Sequence, residues 1–212
     1  MGNIEWTIGY YMLETINKLD ISILLGINGI NSPWLDVFMW FVSKTFVWVP
    51  FYLLLAYFIV RKYKKDGIWF LLAIGLSIVL SDQLSSGLIK PLAERLRPSH
   101  NPEIAEMLHY VNDYKGGKYG FVSSHAANSF ALAFLVCFLF HRRWVFFSIY
   151  GWAAIVSLSR IYLGVHYLTD VLCGAIVGIF SASTVLFLFL KYIPALTKYR
   201  DLKPVAQDES SD

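Results

Sequence analysis

The sequence predicts an all-α, polytopic membrane bundle of about five crossings, preceded by an interfacial amphipathic helix, and three observations carry that reading. Hydrophobic residues make up 57% of the 212 and charged residues only 16%, against roughly 25% charged in ordinary soluble domains. Mean hydropathy is +0.53. The runs 67–89 and 168–190 are predominantly apolar, and a helix needs about 20 such residues to cross a bilayer core. Two more runs, 126–140 and 144–158, are similarly apolar, and a soluble domain of this size has no interior for four such helices.

Taken in order, the stretch 3–28 spaces Ile4, Ile8, Tyr11, Met12, Ile16 and Leu19 as a helical stripe opposite Glu5, Glu14, Asn17 and Lys18, the pattern of a helix lying in an interface. It belongs to an interfacial segment, 1–32, that closes in turn chemistry from Asn28 to Pro33. The first crossing, 34–60, is expected to bend or restart near Ser43-Lys44-Thr45 and at Pro50, because proline removes a helical hydrogen bond. The second crossing is 67–89, a polar loop covers 91–122, and the remaining crossings are 126–140, 144–163 and 168–190. Residues 1–204 are predicted to form one domain, and the acidic tail 205–212 to be disordered. No internal repeat is evident. Cys137 and Cys173 both fall in apolar helices, where they pack as small hydrophobes. The chain shows no cleavable signal peptide, having Glu5 and no basic region before its first apolar stretch.

Orientation follows from the basic residues, which resist translocation and collect in cytoplasmic connections. Arg61, Lys62, Lys64 and Lys65 follow the first crossing, Arg142 and Arg143 the third, and Lys191, Lys198, Arg200 and Lys203 the fifth. The large loop and the turn around Arg160 to His166 are thereby placed together on the extracytoplasmic face, at the depth of lipid head groups.

Three clusters meet on that face: Lys90 with Arg97, then Ser123-Ser124-His125, then Ser159-Arg160 with His166 and Asp170. Singly, each has a plain structural reading: the cations as snorkelling anchors, the histidines as hydrogen-bonded interfacial residues. Together they describe an oxyanion site. Ser123 and Ser124 open the third crossing, where backbone N–H groups lack partners and the helix dipole is positive. Lys90, Arg97 and Arg160 add three cations, two of them guanidinium forks suited to phosphate oxygens. His166 and Asp170 are four apart on a helix and share a face. A carboxylate there fixes the imidazole tautomer and leaves the other nitrogen free to attack phosphorus. His125 remains as the acid for the leaving oxygen, and phosphoryl transfer requires little beyond these parts.

Asp82, eight residues before Lys90, is read either as a group that steadies Lys90 or as part of a structural polar network. His100, His109 and Asp113 fit no compact ligand set, so no metal and no cofactor are predicted.

The spacing is also recognisable. Lys90 to Arg97-Pro98 follows K-x6-R-P, Ser123 to His125 resembles P-S-G-H, and Ser159 to Asp170 follows S-R-x5-H-x3-D. This resembles the type 2 phosphatidic acid phosphatase superfamily. The resemblance implies that Lys90, Arg97, Ser123, Ser124 and Arg160 bind phosphate, that His125 protonates the leaving group, and that His166 becomes phosphorylated with Asp170 behind it. The middle motif departs from the family pattern, with Val122 in the place of proline and Ser124 in the place of glycine. A serine there keeps the amide and adds a side chain, in the position of a helix cap. The runs 97–104 and 121–128 look like those of Gram-negative envelope phosphatases, among them lipid A phosphatases and undecaprenyl diphosphatases.

The expected protein is thus a lipid phosphatase of a bacterial inner membrane with its active site facing the periplasm. Its predicted partners are a phosphorylated membrane lipid and the bilayer, with no nucleic acid, and the sequence sets no oligomeric state. A lipid phosphotransferase using the same phosphohistidine is the nearest alternative, and a non-enzymatic membrane scaffold or transport component a more distant one.

Overall fold

A computed structural model describes residues 2–200, and among them the regular structure is helical apart from one isolated bridge between Leu96 and Tyr119. The acidic tail predicted to be disordered lies outside the described residues. Helix α1 spans Gly2–Gly29. Helix α2 (Pro33–Ser43) opens on a proline in its first turn and stops where Lys44 becomes extended. A 3-10 turn, Thr45–Trp48, then leads into α3 (Val49–Tyr63), which has Pro50 in its first turn, where the missing N–H costs nothing. The break expected inside the first crossing therefore falls at Lys44, and Pro50 restarts the helix.

Helix α3 ends at Lys64, whose φ of 53° reverses the chain. Helix α4 (Gly67–Asp82) runs back, and Gly67 is needed there because a Cβ would come 3.1 Å from the Val60 backbone. A π-helical stretch, Gln83–Ile89, joins α4 to the short α5 (Lys90–Ala93). After the long loop come α6 (Ser124–Phe140), α7 (Arg143–Tyr162) and α8 (Leu168–Tyr192), then a 3-10 turn at Pro194–Tyr199.

Among the described residues, Thr45–Ala93, Arg143–Tyr162 and Leu168–Tyr192 are long and apolar enough to cross a membrane, and α6 is a shorter apolar helix. The first of these stretches contains α3 and α4 folded back on one another. Large apolar side chains such as Trp34, Val37, Leu53, Phe147, Ile176 and Phe187 point outward. An aqueous surface would make these a liability; facing hydrocarbon, they are what the solvent requires.

Helix α6 is the axis of the bundle, with Ala126, Ala127, Ala131 and Ala133 fully buried. Its tightest seam is with α8. A Cβ on Gly174 would lie 2.5 Å from the Ser123 carbonyl oxygen, and one on Gly178 would lie 2.0 Å from that of Ala127. Small residues four apart let two helices touch backbone to backbone, the packing available where lipid removes the hydrophobic incentive to associate.

Helix α1 is fastened to one end of the bundle by polar residues. Its outward side shows Tyr10, Tyr11, Met12, Leu13, Ile16 and Leu19, while Asp20, Leu24 and Asn28, each four apart, are buried. The Asn28 amide donates to the carbonyls of His109 and Tyr162 and accepts from the His109 N–H. Asn28 thus sits in the last turn of α1 rather than in the following turn, locking the loop to the end of α7. Asp36 of α2 completes this knot, accepting from the Tyr162 hydroxyl at 2.5 Å and meeting His109 Nε2 at 2.9 Å.

Candidate active site

The helix ends position the chemistry. The start of α5, the N-termini of α6 and α8, the C-terminus of α7 and the long loop all meet at one end of the bundle, so Lys90, Arg97, Ser124, His125, Arg160 and His166 line a single cavity of about 660 Å³. At the other end Lys62 caps the Leu139 carbonyl and Lys198 pairs with Asp66.

His166 sits in the turn between α7 and α8 and is 1% exposed. Its Nδ1 lies 3.3 Å from Asp170 Oδ2, on the first turn of α8. The same carboxylate oxygen accepts the Tyr167 N–H at 3.0 Å, and the other accepts from Arg95 Nη1 at 2.8 Å. Arg95 in turn reaches Asp20 on α1 at 2.7 Å and Thr169 at 2.6 Å, and its guanidinium stacks 4.2 Å from the Tyr167 ring centroid. The Thr169 hydroxyl also bonds Asp20. A chain of charge therefore runs Asp20–Arg95–Asp170–His166, each buried acid having a partner, as burial of a charge demands. Burial, followed by the fields of Arg97, Arg160 and Lys90, pushes the His166 imidazole well below its usual range, so the ring is neutral. Neutrality is the state a nucleophile needs.

Arg97 follows the extended strip from Arg95. Its Nε donates to the Tyr119 carbonyl at 3.0 Å, while Nη1 is buried with no partner. Gly116, with φ of +67°, lies under that guanidinium, and a Cβ there would collide with Nη1 at 2.4 Å. Arg160 donates to the hydroxyls of Ser43 and Tyr114, and its Nε is likewise buried and unpartnered. Two unsatisfied guanidinium N–H groups at one cavity are donors awaiting an acceptor. Tyr114 bridges the two arginines: burial raises its phenol, but Arg160 and Arg97 outweigh that and bring it below its ordinary range.

Ser123, rather than Ser124, is the N-cap of α6, its hydroxyl accepting from the Ala126 N–H. Its own N–H donates to the Asp170 carbonyl at 2.9 Å. The expectation that the Ser123 amide is free for phosphate is therefore corrected; this residue ties α6 to α8. The first-turn amides of Ser124 and His125 remain without intrahelical acceptors. The Ser124 hydroxyl takes a hydrogen bond from Lys90 Nζ at 2.5 Å and lies 2.7 Å from the Ser86 hydroxyl. Asp82 lines the same cavity as Lys90, yet Ser124 and Ser86, not Asp82, hold the ammonium.

A family model for the PAP2 superfamily matches residues 66–194. The chain belongs to the PAP2 superfamily. It is similar to the lipid A 4'-phosphatases of Bacteroides thetaiotaomicron, 43% identical over 80% of this chain and 76% of the relative, and of Porphyromonas gingivalis, 35% identical over 88% and 78%. Two crystal structures share its fold. LpxE of Aquifex aeolicus has a TM-score of 0.64 at 24% identity, over 80% of this chain and 95% of that one. The PAP2-type phosphatidylglycerolphosphate phosphatase of Bacillus subtilis has a TM-score of 0.60 at 25% identity, over 84% and 88%. This PAP2 chain is accordingly a membrane lipid phosphatase, a phosphoric ester hydrolase of bacterial type.

The motif residues of this PAP2 chain do converge, but sequence reading missed Arg95, Asp20, Thr169, Tyr114 and Ser43. Asp20 carried a signal, being the lone acid in the run 19–25. Tyr114 and Ser43 carried none, because their positions depend on how the loop and the α2 end fold over Arg160.

Proposed function

We propose that this protein removes a phosphate monoester from lipid A, or a closely similar acylated sugar phosphate, through a phosphohistidine on His166. The observation that carries the reading is the single cavity in which a neutral, Asp170-backed His166 faces three cations at one end while Leu55, Ile59, Leu71, Ile74 and Leu132 line the other. The named activities of the two lipid A 4'-phosphatase relatives support the choice of lipid.

Lys90, Arg97 and Arg160 hold the phosphoryl oxygens, with the free amides of Ser124 and His125 completing the cradle. With Nδ1 turned to Asp170, Nε2 of His166 attacks phosphorus; the P–N bond forms as the bond to the lipid oxygen breaks, and His125 donates a proton to that oxygen. Water, deprotonated by His125, then displaces His166 and releases inorganic phosphate. Asp170 stabilises the imidazolium character of the phosphorylated ring, and no metal or cofactor takes part. The chain acts as one domain with five crossings and α1 at the interface, its site facing the periplasm, an orientation supported by the basic residues gathered at the opposite end.

Purified protein incubated with lipid A in detergent is expected to release inorganic phosphate, with no need for an acceptor alcohol. Release that occurs only when an acceptor is added contradicts hydrolysis, and no release from lipid A under either condition contradicts the substrate.

A further inference from the structure

The cavity changes character along its length. On the helical run from α4 to α5, Lys90 and Ser86 are followed inward by Asp82, then Ile78, Ile74 and Leu71; on α6, Ser124 and His125 are followed by Asn128 and Ser129, then Leu132. Steps of four residues lower the wall by about 6 Å each. Between the cations and the hydrocarbon-lined depth, the α4 and α6 walls thus carry a band of polar side chains. From Ser86 to Leu71 the helical wall measures about 22 Å.

Polar groups at that depth require partners. Asn128 Oδ1 is buried and without a hydrogen bond. The Asp82 carboxylate lines the same wall, and no described residue hydrogen-bonds or ion-pairs it. Both offer acceptors. Asn128 lies one turn beyond His125 on α6 and Asp82 two turns beyond Lys90 on the α4 run, so both stand between the cations and the apolar depth, where they meet what the lipid carries next to its phosphate.

We propose that Asp82 and Asn128 form a subsite for hydrogen-bond donors, hydroxyl or amide N–H, on the scaffold that bears the phosphate. The inference rests on the phosphatase reading and narrows its substrate class. An acylated amino sugar carries hydroxyl and amide donors on the scaffold that bears the phosphate, with hydrocarbon beyond. A polyprenyl monophosphate presents hydrocarbon at that level and leaves both acceptors unpaired, the kind of mismatch that polar sites reject strongly. A polyprenyl diphosphate is worse placed, since with its terminal phosphate among the cations the second phosphate approaches the Asp82 carboxylate, a like charge.

The test compares kcat/KM for lipid A and for undecaprenyl monophosphate and diphosphate in purified wild-type protein and in the variants Asp82→Asn and Asn128→Leu. In wild type, lipid A is favoured over both polyprenyl substrates. In each variant that preference is expected to fall about tenfold, the value of one lost polar contact of about 1.4 kcal/mol, and in Asp82→Asn the diphosphate should gain relative to the monophosphate. The isosteric Asp82→Asn keeps the question open to measurement even if Asn128→Leu misfolds. An equal fall on all substrates, with the preference unmoved, overturns the subsite and makes Asp82 and Asn128 general supports of the catalytic end. A wild type that hydrolyses lipid A but prefers polyprenyl substrates also overturns the subsite, while one that hydrolyses no lipid phosphate contradicts the phosphatase reading itself.

Discussion

The open flank of the cavity and the seam behind its catalytic end are built to opposite rules. Along the α6–α8 seam, Gly174 and Gly178 admit the opposing backbone, Ser123 donates to the Asp170 carbonyl, and Asp170 and Ser123 have no exposed surface. Along the α3–α4 flank, Tyr52, Leu55 and Ile74 are only half-buried and border open volume. In the proposed mechanism the nucleophile His166 and its carboxylate Asp170 stand on the rigid side, and the open side is the one with room for lipid. In-line transfer tolerates little misplacement, whereas an acyl chain needs room more than precise contact.

That contrast can be broken most severely at Arg95. Replacing it with alanine leaves the buried Asp20 and Asp170 without their shared cation, which costs about 3–5 kcal/mol, and turnover should drop to background. Unfolding in detergent and phosphate release measure the two effects; a variant as stable and active as wild type would show that the Asp20–Arg95–Asp170 chain does not hold the seam.

A smaller breach is Gly178→Ala, where the new methyl group meets a carbonyl oxygen at 2.0 Å and overpacking should cost about 1–3 kcal/mol. Gly151→Ala on α7, whose Cβ would meet nothing within 4 Å, should stay within about 0.5 kcal/mol of wild type. Equal effects at the two sites would deny the seam its special tightness.

At the boundary between the sides, Ser124 tethers Lys90. Ser124→Gly restores the residue usual in the family pattern but removes that tether while Ser86 still holds Lys90, so kcat/KM should fall about threefold to tenfold, the worth of one hydrogen bond of ordinary strength. Retained or increased activity would mean that only the Ser124 amide matters.

The least effect concerns pH. The folded His166 resists protonation while the unfolded chain takes up a proton near pH 6.5, about the ordinary histidine value; stability from this residue is therefore intact above that pH and declines below it, by at most about 1.4 kcal/mol per pH unit. Unfolding followed from about pH 7.5 to about pH 5.5 should show a steeper loss in wild type than in His166→Asn. Parallel curves would indicate that His166 protonates freely in the folded protein.

The same two sides differ in how far the sequence reveals them. Apolar runs located the helices because bilayer thickness imposes their length, and Lys44 with Pro50 located the break between α2 and α3. The motif residues were legible because phosphate chemistry admits few side-chain types at such spacing. Arg95 was not legible, since an arginine two residues before Arg97 reads as one more loop cation until Asp20, seventy-five positions earlier, is brought beside it. Ser124 was misread as the cap because serine at two successive positions satisfies the same local rule, and only the Ala126 N–H pointing at Ser123 decides between them. The donor-accepting band at Asp82 and Asn128 is invisible without the cavity that joins α4 to α6.

The central claim is that phosphorus is bonded to His166 during turnover, and trapping that bond tests it most directly. Wild-type protein mixed with lipid A carrying radiolabelled phosphate and quenched in alkali should retain label on the chain, stable to base, lost in acid, and mapped to His166. His125→Ala should still acquire some label, because His125 only moves protons and never bonds to phosphorus, whereas His166→Ala should acquire none. Label of the same acid lability on His166→Ala, or mapped to His125 in wild type, would contradict the account.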